Sequence, residues 1–178
     1  MKRITEVTIK TEYDNDPDLS YLGHMATEKN YDEHWIPINP DNIDEGWFAP
    51  ANHLPHKINN WNHVSQESKN EVIAKYGSLR RADIAYAYRD LKRLQDFNAD
   101  TWWCIGIIVT AKIEVSEDEK NWAHEEVNAS LWGIESDATE EHKQTIIEDL
   151  KSDVTHDLKI WGFSTSDIAT AMSLIKEE

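Results

Sequence analysis

His53, His56 and His63 are residues whose type could do chemistry, because imidazole nitrogens are common zinc ligands. In His53-Leu54-Pro55-His56 the spacing is ligand-like, but Pro55 between the two histidines gives no helical i,i+4 pair. A zinc site also needs fixed geometry and an outer shell of hydrogen bonds to orient its ligands. Surface or hydrogen-bonded histidines are the expectation here, with no bound metal. Cys104 is a possible nucleophile, yet a reactive thiolate wants an electropositive, partly exposed niche and a histidine partner. It follows Trp102 and Trp103 and precedes Ile105, so it reads as a small core residue. Carboxylates such as Asp14, Asp16, Asp18, Asp41, Asp44 and Glu45 are abundant. Abundance does not mark a general acid–base pair, which is recognised by its environment. The sequence has no glycine-rich phosphate loop, nucleophile elbow or helical zinc-protease motif. These residues predict a non-enzymatic protein with no cofactor. An enzyme with its site in the His53–His63 loop is the lesser alternative.

Charge points more sharply to function. The 178 residues include 18 Lys plus Arg and 34 Asp plus Glu, a formal net charge of −16. Such a field repels nucleic acid and anionic membranes, and it attracts basic protein surfaces. No direct binding to duplex DNA and no membrane association are expected. The acids cluster at Asp14, Asp16 and Asp18, at Asp41 to Glu45, and again from Glu135 to Asp157. Within the last group Glu141, Glu148 and Asp149 lie off the apolar stripe Ile146–Leu150–Val154, so they face solvent or a partner. Carboxylates spaced along an exposed ridge can imitate duplex phosphates. Solubility alone, or the ordinary polar face of an amphipathic helix, would require the same residues. Arg81, Arg89, Lys92 and Arg93 form the main basic cluster, an alternative surface for phosphate. Trp35, Trp47 and Trp61 offer an aromatic one.

The elements that position these groups follow from periodicity and punctuation. Lys2 to Tyr13 alternates as a half-buried strand, with Val7, Ile9, Thr11 and Tyr13 on one side, and ends in the turn chemistry of Asp14 to Asp18. From Pro17 to His63 all five prolines mix with aromatics, which predicts an ordered but irregular segment laid over the sheet and covering one edge. Ser65 caps a helix to about Tyr76 with Gly77 as its stop, and Ile73 is placed on its apolar side. Ser78 caps a second helix, to about Phe97, whose core side carries Ile84, Ala87, Tyr88, Leu91 and Leu94. Trp102 to Val115 is the strongest strand signal, expected at the centre of the sheet and covered on both faces. After the polar turn Glu117–Asn121, Glu126 to Trp132 returns antiparallel, and Gly133 breaks it.

Asp137 and Glu140 predict a capping box for a helix with the stripe Ile146, Ile147, Leu150, Val154, Leu158 and Trp161, ended by Gly162. Ser164 and Asp167 start a last helix bearing Ile168, Met172 and Ile175. The junction between them has the outline of a helix-turn-helix, but its second helix lacks arginine, so a helical hairpin packed on the sheet is expected. The longest apolar run, Trp102 to Val109, is too short to span a bilayer, and no signal peptide follows Met1. With a single cysteine and thus no internal disulfide, a reducing cytoplasm is expected. The whole reads as one domain of α+β class. It is an antiparallel sheet of three or more strands packed by about four helices, with a long proline/aromatic-rich irregular segment.

Trp103-Cys104-Ile105-Gly106-Ile107, then Ser130-Leu131-Trp132-Gly133-Ile134-Glu135-Ser136-Asp137 and the Gly162-Phe163-Ser164 junction, resemble a family of small acidic proteins found in bacteriophages and mobile elements. Tyr13-Asp14-Asn15-Asp16-Pro17-Asp18 and the helix ending Leu91 to Asn98 are similar too, so the resemblance touches most of the chain. Most members of that family have no assigned activity. The resemblance implies an anti-defence protein in a bacterial host, with anti-CRISPR inhibitors as one class, and it carries over no catalytic residue. The expected partner is a basic, nucleic-acid-handling host protein such as a CRISPR effector. A regulatory or nucleic-acid-associated module working through Arg81, Arg89, Lys92 and Arg93 is the alternative.

Overall fold

A computed structural model describes residues 1–28, 35–51, 61 and 63–177. Contacts within the chain define two compact units, Met1–Pro17 with Trp102–Glu178, and Asp18–Thr101. Each has its own cluster of buried apolar side chains.

In the first unit, strand β1 (Lys2–Tyr13) pairs antiparallel with β5 (Cys104–Val115), which pairs antiparallel with β6 (Ala123–Glu135). A short β7 (Lys176–Glu177) runs parallel to β1 beside Thr8 and Ile9, giving a four-stranded sheet of order β6-β5-β1-β7. The central position expected for the Cys104 strand is therefore observed. Register explains the core: Val7 stands opposite Ala111 and Ile9 opposite Val109, while Ala111 and Val109 stand opposite Val127 and Ala129. These residues share one sheet face, and helix α3 (Glu140–Ile160) closes over it with Ile146, Leu150, Val154 and Leu158. Phe163 and Ile168, the latter on helix α4 (Thr165–Met172), complete the same cluster. The pair α3–α4 is thus a helical hairpin on the sheet, as its lack of arginine suggests. Val109, Val154 and Leu158 are fully enclosed.

The opposite face is polar at its middle. Glu6 stands across from Lys112, and its carboxylate accepts from Lys112 Nζ at 2.9 Å and from Lys176 Nζ at 2.8 Å. One carboxylate so ties β1, β5 and β7 together, and the two ammonium groups hold its pKa at about 2. From Cys104 to Ile107 every residue of β5 is buried, and alternation sets in only from Ile108. Coverage on both faces, expected for the whole strand, holds for that first part alone. The strand also begins at Cys104, two residues later than its apolar run.

In the second unit β2 (His24–Ala26), β3 (Ile36–Pro37) and β4 (Trp47–Ala49) make a three-stranded antiparallel sheet of order β2-β4-β3. Strands of two or three residues are too short to show a period, so this sheet is invisible in a segment that reads as irregular. Helices α1 (Gln66–Tyr76) and α2 (Leu79–Asn98) begin at Ser65 and Ser78, whose hydroxyls accept from Ser68 N–H and Arg81 N–H as their caps. Gly77 adopts φ +84° between them. Ala87 and Leu91 pack with Ile36 and Phe48, and Tyr88 and Leu94 lie half-buried against that cluster. Ile73, expected on the apolar side of α1, is 40 % exposed.

Several boundary expectations need correction. Gly133 does not end β6, which continues to Glu135. Gly133 takes φ +77° in a bulge where Trp132 and Gly133 together oppose Gly106. The cap of α3 is Thr139, whose hydroxyl accepts from His142 N–H, in place of the Asp137–Glu140 box. Trp161 is not part of the buried stripe; it caps α3 and stays 44 % exposed. Gly162 (φ +79°) sends its N–H to Lys159 O and Phe163 sends its N–H to Leu158 O, a Schellman ending that turns Phe163 into the core. Ile175 lies beyond α4. Cys104 is buried, as its apolar context predicts.

Candidate interaction surface

Burial of Ile146, Leu150, Val154 and Leu158 fixes the rotation of α3 about its axis. The consequence for its acids is direct. Glu141, Glu148 and Asp149 are all exposed, as their position off the stripe requires. At 1.5 Å rise per residue, Glu141 and Glu148 stand about 10 Å apart along the helix. Glu148 is held by Lys151 Nζ and Gln144 Nε2, each at 2.8 Å, and the Lys151 contact lowers its pKa. Asp149, Asp153 and Asp157 recur at i, i+4 and i+8, an exposed row on one flank of the same helix. Asp157 opens onto a cleft of about 300 Å³ with Glu126, Val127 and Asn128 of β6 and with Ile160 and Trp161. Ile160 is 72 % exposed there. An acidic surface with exposed apolar groups at its end can bind cations in company with aliphatic or aromatic surface.

The other acidic group behaves differently. Asp14 Oδ2 accepts from Gly133 N–H at 3.1 Å and its Oδ1 accepts from Asp16 N–H at 3.2 Å. That carboxylate is occupied in closing the β6 bulge. Asp18 Oδ1 accepts from Ser20 N–H at 2.9 Å, and the hydrogen bonds from Ser20 lower its pKa. Asp16 and Asp18 are exposed. Asp14 and Asp16 belong to the first unit and Asp18 to the second.

The alternative surfaces lie in the second unit. Arg81, Arg89 and Lys92 are exposed on α2, whereas Arg93 is half-buried. Lys92 is paired with Asp96 one turn on, and the Arg89 guanidinium lies over the Tyr86 ring at 5.1 Å. Trp35, Trp47 and Trp61 are half-buried. Trp35 meets the His24 ring edge-on at 5.1 Å, and Trp61 Nε1 donates to the buried Asp83 at 3.0 Å. Trp35 and Trp61 are so engaged with residues of their own unit. His63 is exposed, while His53 and His56 lie outside the described residues. Among the described residues no helix is long and apolar enough to cross a membrane.

The flank of α3 beside β6 is the part that sequence reasoning missed. Its signal was present in the i, i+4, i+8 aspartates, but the partnership with β6 depends on how helix and strand pack. No protein-family model, curated protein or solved structure matches the chain.

Proposed function

We propose that the protein is a non-enzymatic interaction module whose acidic α3 surface engages a basic, nucleic-acid-handling protein. The reading extends to an inhibitor of host defence, made by a phage or mobile element and acting in the bacterial cytoplasm on a target such as a CRISPR effector. The observation that carries it is the outer side of α3, where Glu141, Glu148 and Asp149 are all exposed on a helix whose opposite stripe anchors it rigidly to the sheet. A pre-ordered row of carboxylates at a net charge of −16 loses little entropy on meeting a cationic groove and steers the encounter at long range.

The test is charge reversal on a fold that tolerates it. Glu141→Lys, Glu148→Lys and Asp149→Lys together should reduce inhibition in a phage-defence or target-cleavage assay, and rising salt should weaken the unmodified protein in parallel. Melting curves accompany the assay, because reversal at Glu148 also removes the partner of Lys151. Inhibition that ignores both the reversal and the salt would overturn the acidic reading.

A further inference from the structure

Among the described residues β6 has a neighbour on one side only. It runs for 13 residues, and from Ala123 to Ser130, before its bulge, its outer backbone groups face away from β5. The other border of the sheet is unlike it, since β7 pairs with part of β1 and α4 packs against that strand. Open edges of this length are templates for another strand, because alternate N–H and C=O groups stand ready to pair.

Side chains along the edge narrow the choice of occupant. Glu125 shares the helix-side face with Val127 and Leu131, and Glu126 shares the opposite face with Asn128 and Ser130, by their register with β5. Leu131 and Trp132 are 46 % and 44 % exposed near the far end. On the helix side, Asp157 reaches the cleft beside β6, with Asp153 and Asp149 behind it in the same row. An incoming strand therefore meets carboxylates on both of its faces at one end and apolar surface at the other. A second copy of the chain fits poorly, because a two-fold pairing of β6 with β6 brings the row Asp149–Asp153–Asp157 of each copy toward its like.

We infer that the outer edge of β6 is a strand-addition site for an extended, basic segment of a protein partner. Backbone pairing along Ala123–Ser130 supplies affinity. Glu125, Glu126 and Asp157 select lysine or arginine at alternating positions, and the Trp161 indole borders the cleft where such a side chain would lie. The inference rests on the acidic-interaction reading and names its mode of binding at a different strip of the surface.

A synthetic ten-residue peptide of alternating lysine and valine is the probe. A peptide with proline in place of each valine keeps the charge and loses the ability to pair as a strand. Hydrogen exchange by NMR should show alternate, fast-exchanging amides of Ala123–Ser130 slowed by the lysine–valine peptide and unchanged by the lysine–proline one. Glu125→Lys with Asp157→Lys should lower affinity roughly tenfold, and the milder Glu125→Gln with Asp157→Asn should lower it less while leaving the melting curve in place. Equal binding of both peptides, lost on reversing Glu141, Glu148 and Asp149 and with β6 amides unprotected, would overturn strand addition and leave the acidic reading standing. If neither peptide binds, both readings are overturned. Protection of β6 by concentration alone, without peptide, would make a second copy the occupant and overturn the basic partner.

Discussion

The Asp14 carboxylate accepts the Gly133 N–H at 3.1 Å across 119 positions of sequence. It ties the end of β1 to the bulge in β6, although β5 lies between those strands. Besides standing among acids expected to face a partner, Asp14 is a brace within the sheet.

Asp14→Ala should therefore cost stability, on the order of 1 kcal/mol for a hydrogen bond to a charged acceptor at a half-exposed site. Asp16→Ala should fall within about 0.5 kcal/mol of the unmodified protein. Urea titrations of the two variants decide it, and equal midpoints would remove the bracing role.

Gly106 and Trp132 make a second cross-strand relationship. A Cβ built on Gly106 would stand 2.4 Å from Trp132 Cε3, so alanine there must displace the indole. Gly106→Ala should destabilise by about 1–3 kcal/mol and alter tryptophan fluorescence, and Trp132→Ala in the same chain should relieve part of the loss. An additive double mutant would show that the ring does not set the need for glycine.

Acid should weaken the sheet in a definite window. Glu6, paired with Lys176 and Lys112, has its pKa lowered from 4.5 to about 2. Asp118, receiving the N–H groups of Asn121 and Lys120 in the β5–β6 turn, is lowered from 3.8 to about 2. The unfolded chain takes up these protons at higher pH than the folded one, so their stabilisation is complete above about pH 5 and disappears as pH falls toward 2. Melting temperature against pH should show that decline, and Glu6→Gln should flatten it. An unchanged slope in the variant would mean that Glu6 is not coupled to folding.

Leu158 and Ile160 stand two residues apart on α3 with opposite surroundings, the first enclosed and the second 72 % exposed. Leu158→Ala should cost about 2–5 kcal/mol through lost contacts and a cavity, and Ile160→Ala about 0.5 kcal/mol or less. Similar losses at both sites would contradict the packing of α3. Native Cys104, enclosed in β5, should likewise resist thiol reagents until the protein unfolds.

Local signals in the residue order were enough for the α+β class, the four helices, the strands β1 and β5, and the exposure of Glu141, Glu148 and Asp149. The serine caps at Ser65, Ser78 and Ser164 act within one helical turn, and the alternation in β1 and the stripe in α3 repeat over many residues. Such signals need no knowledge of what lies across the core.

Other features depend on partners distant in the chain. The Asp14–Gly133 brace, the indole over Gly106 and the Glu6 bridge to Lys112 and Lys176 join residues whose neighbourhood exists only after strands align. The small sheet of β2, β3 and β4 has strands shorter than any period that could reveal them. The proline- and aromatic-rich stretch begins where the chain leaves the first compact unit, but its return at Trp102 follows from contacts between the two ends of the chain, which no local signal carries. Sequence by itself determined that α3 would present carboxylates to solvent, since helical spacing and one apolar stripe decide which side is wet. Only the tertiary structure decided that one flank of those acids borders an open strand edge, because an edge is defined by the absence of a neighbour and pairing is settled by long-range packing.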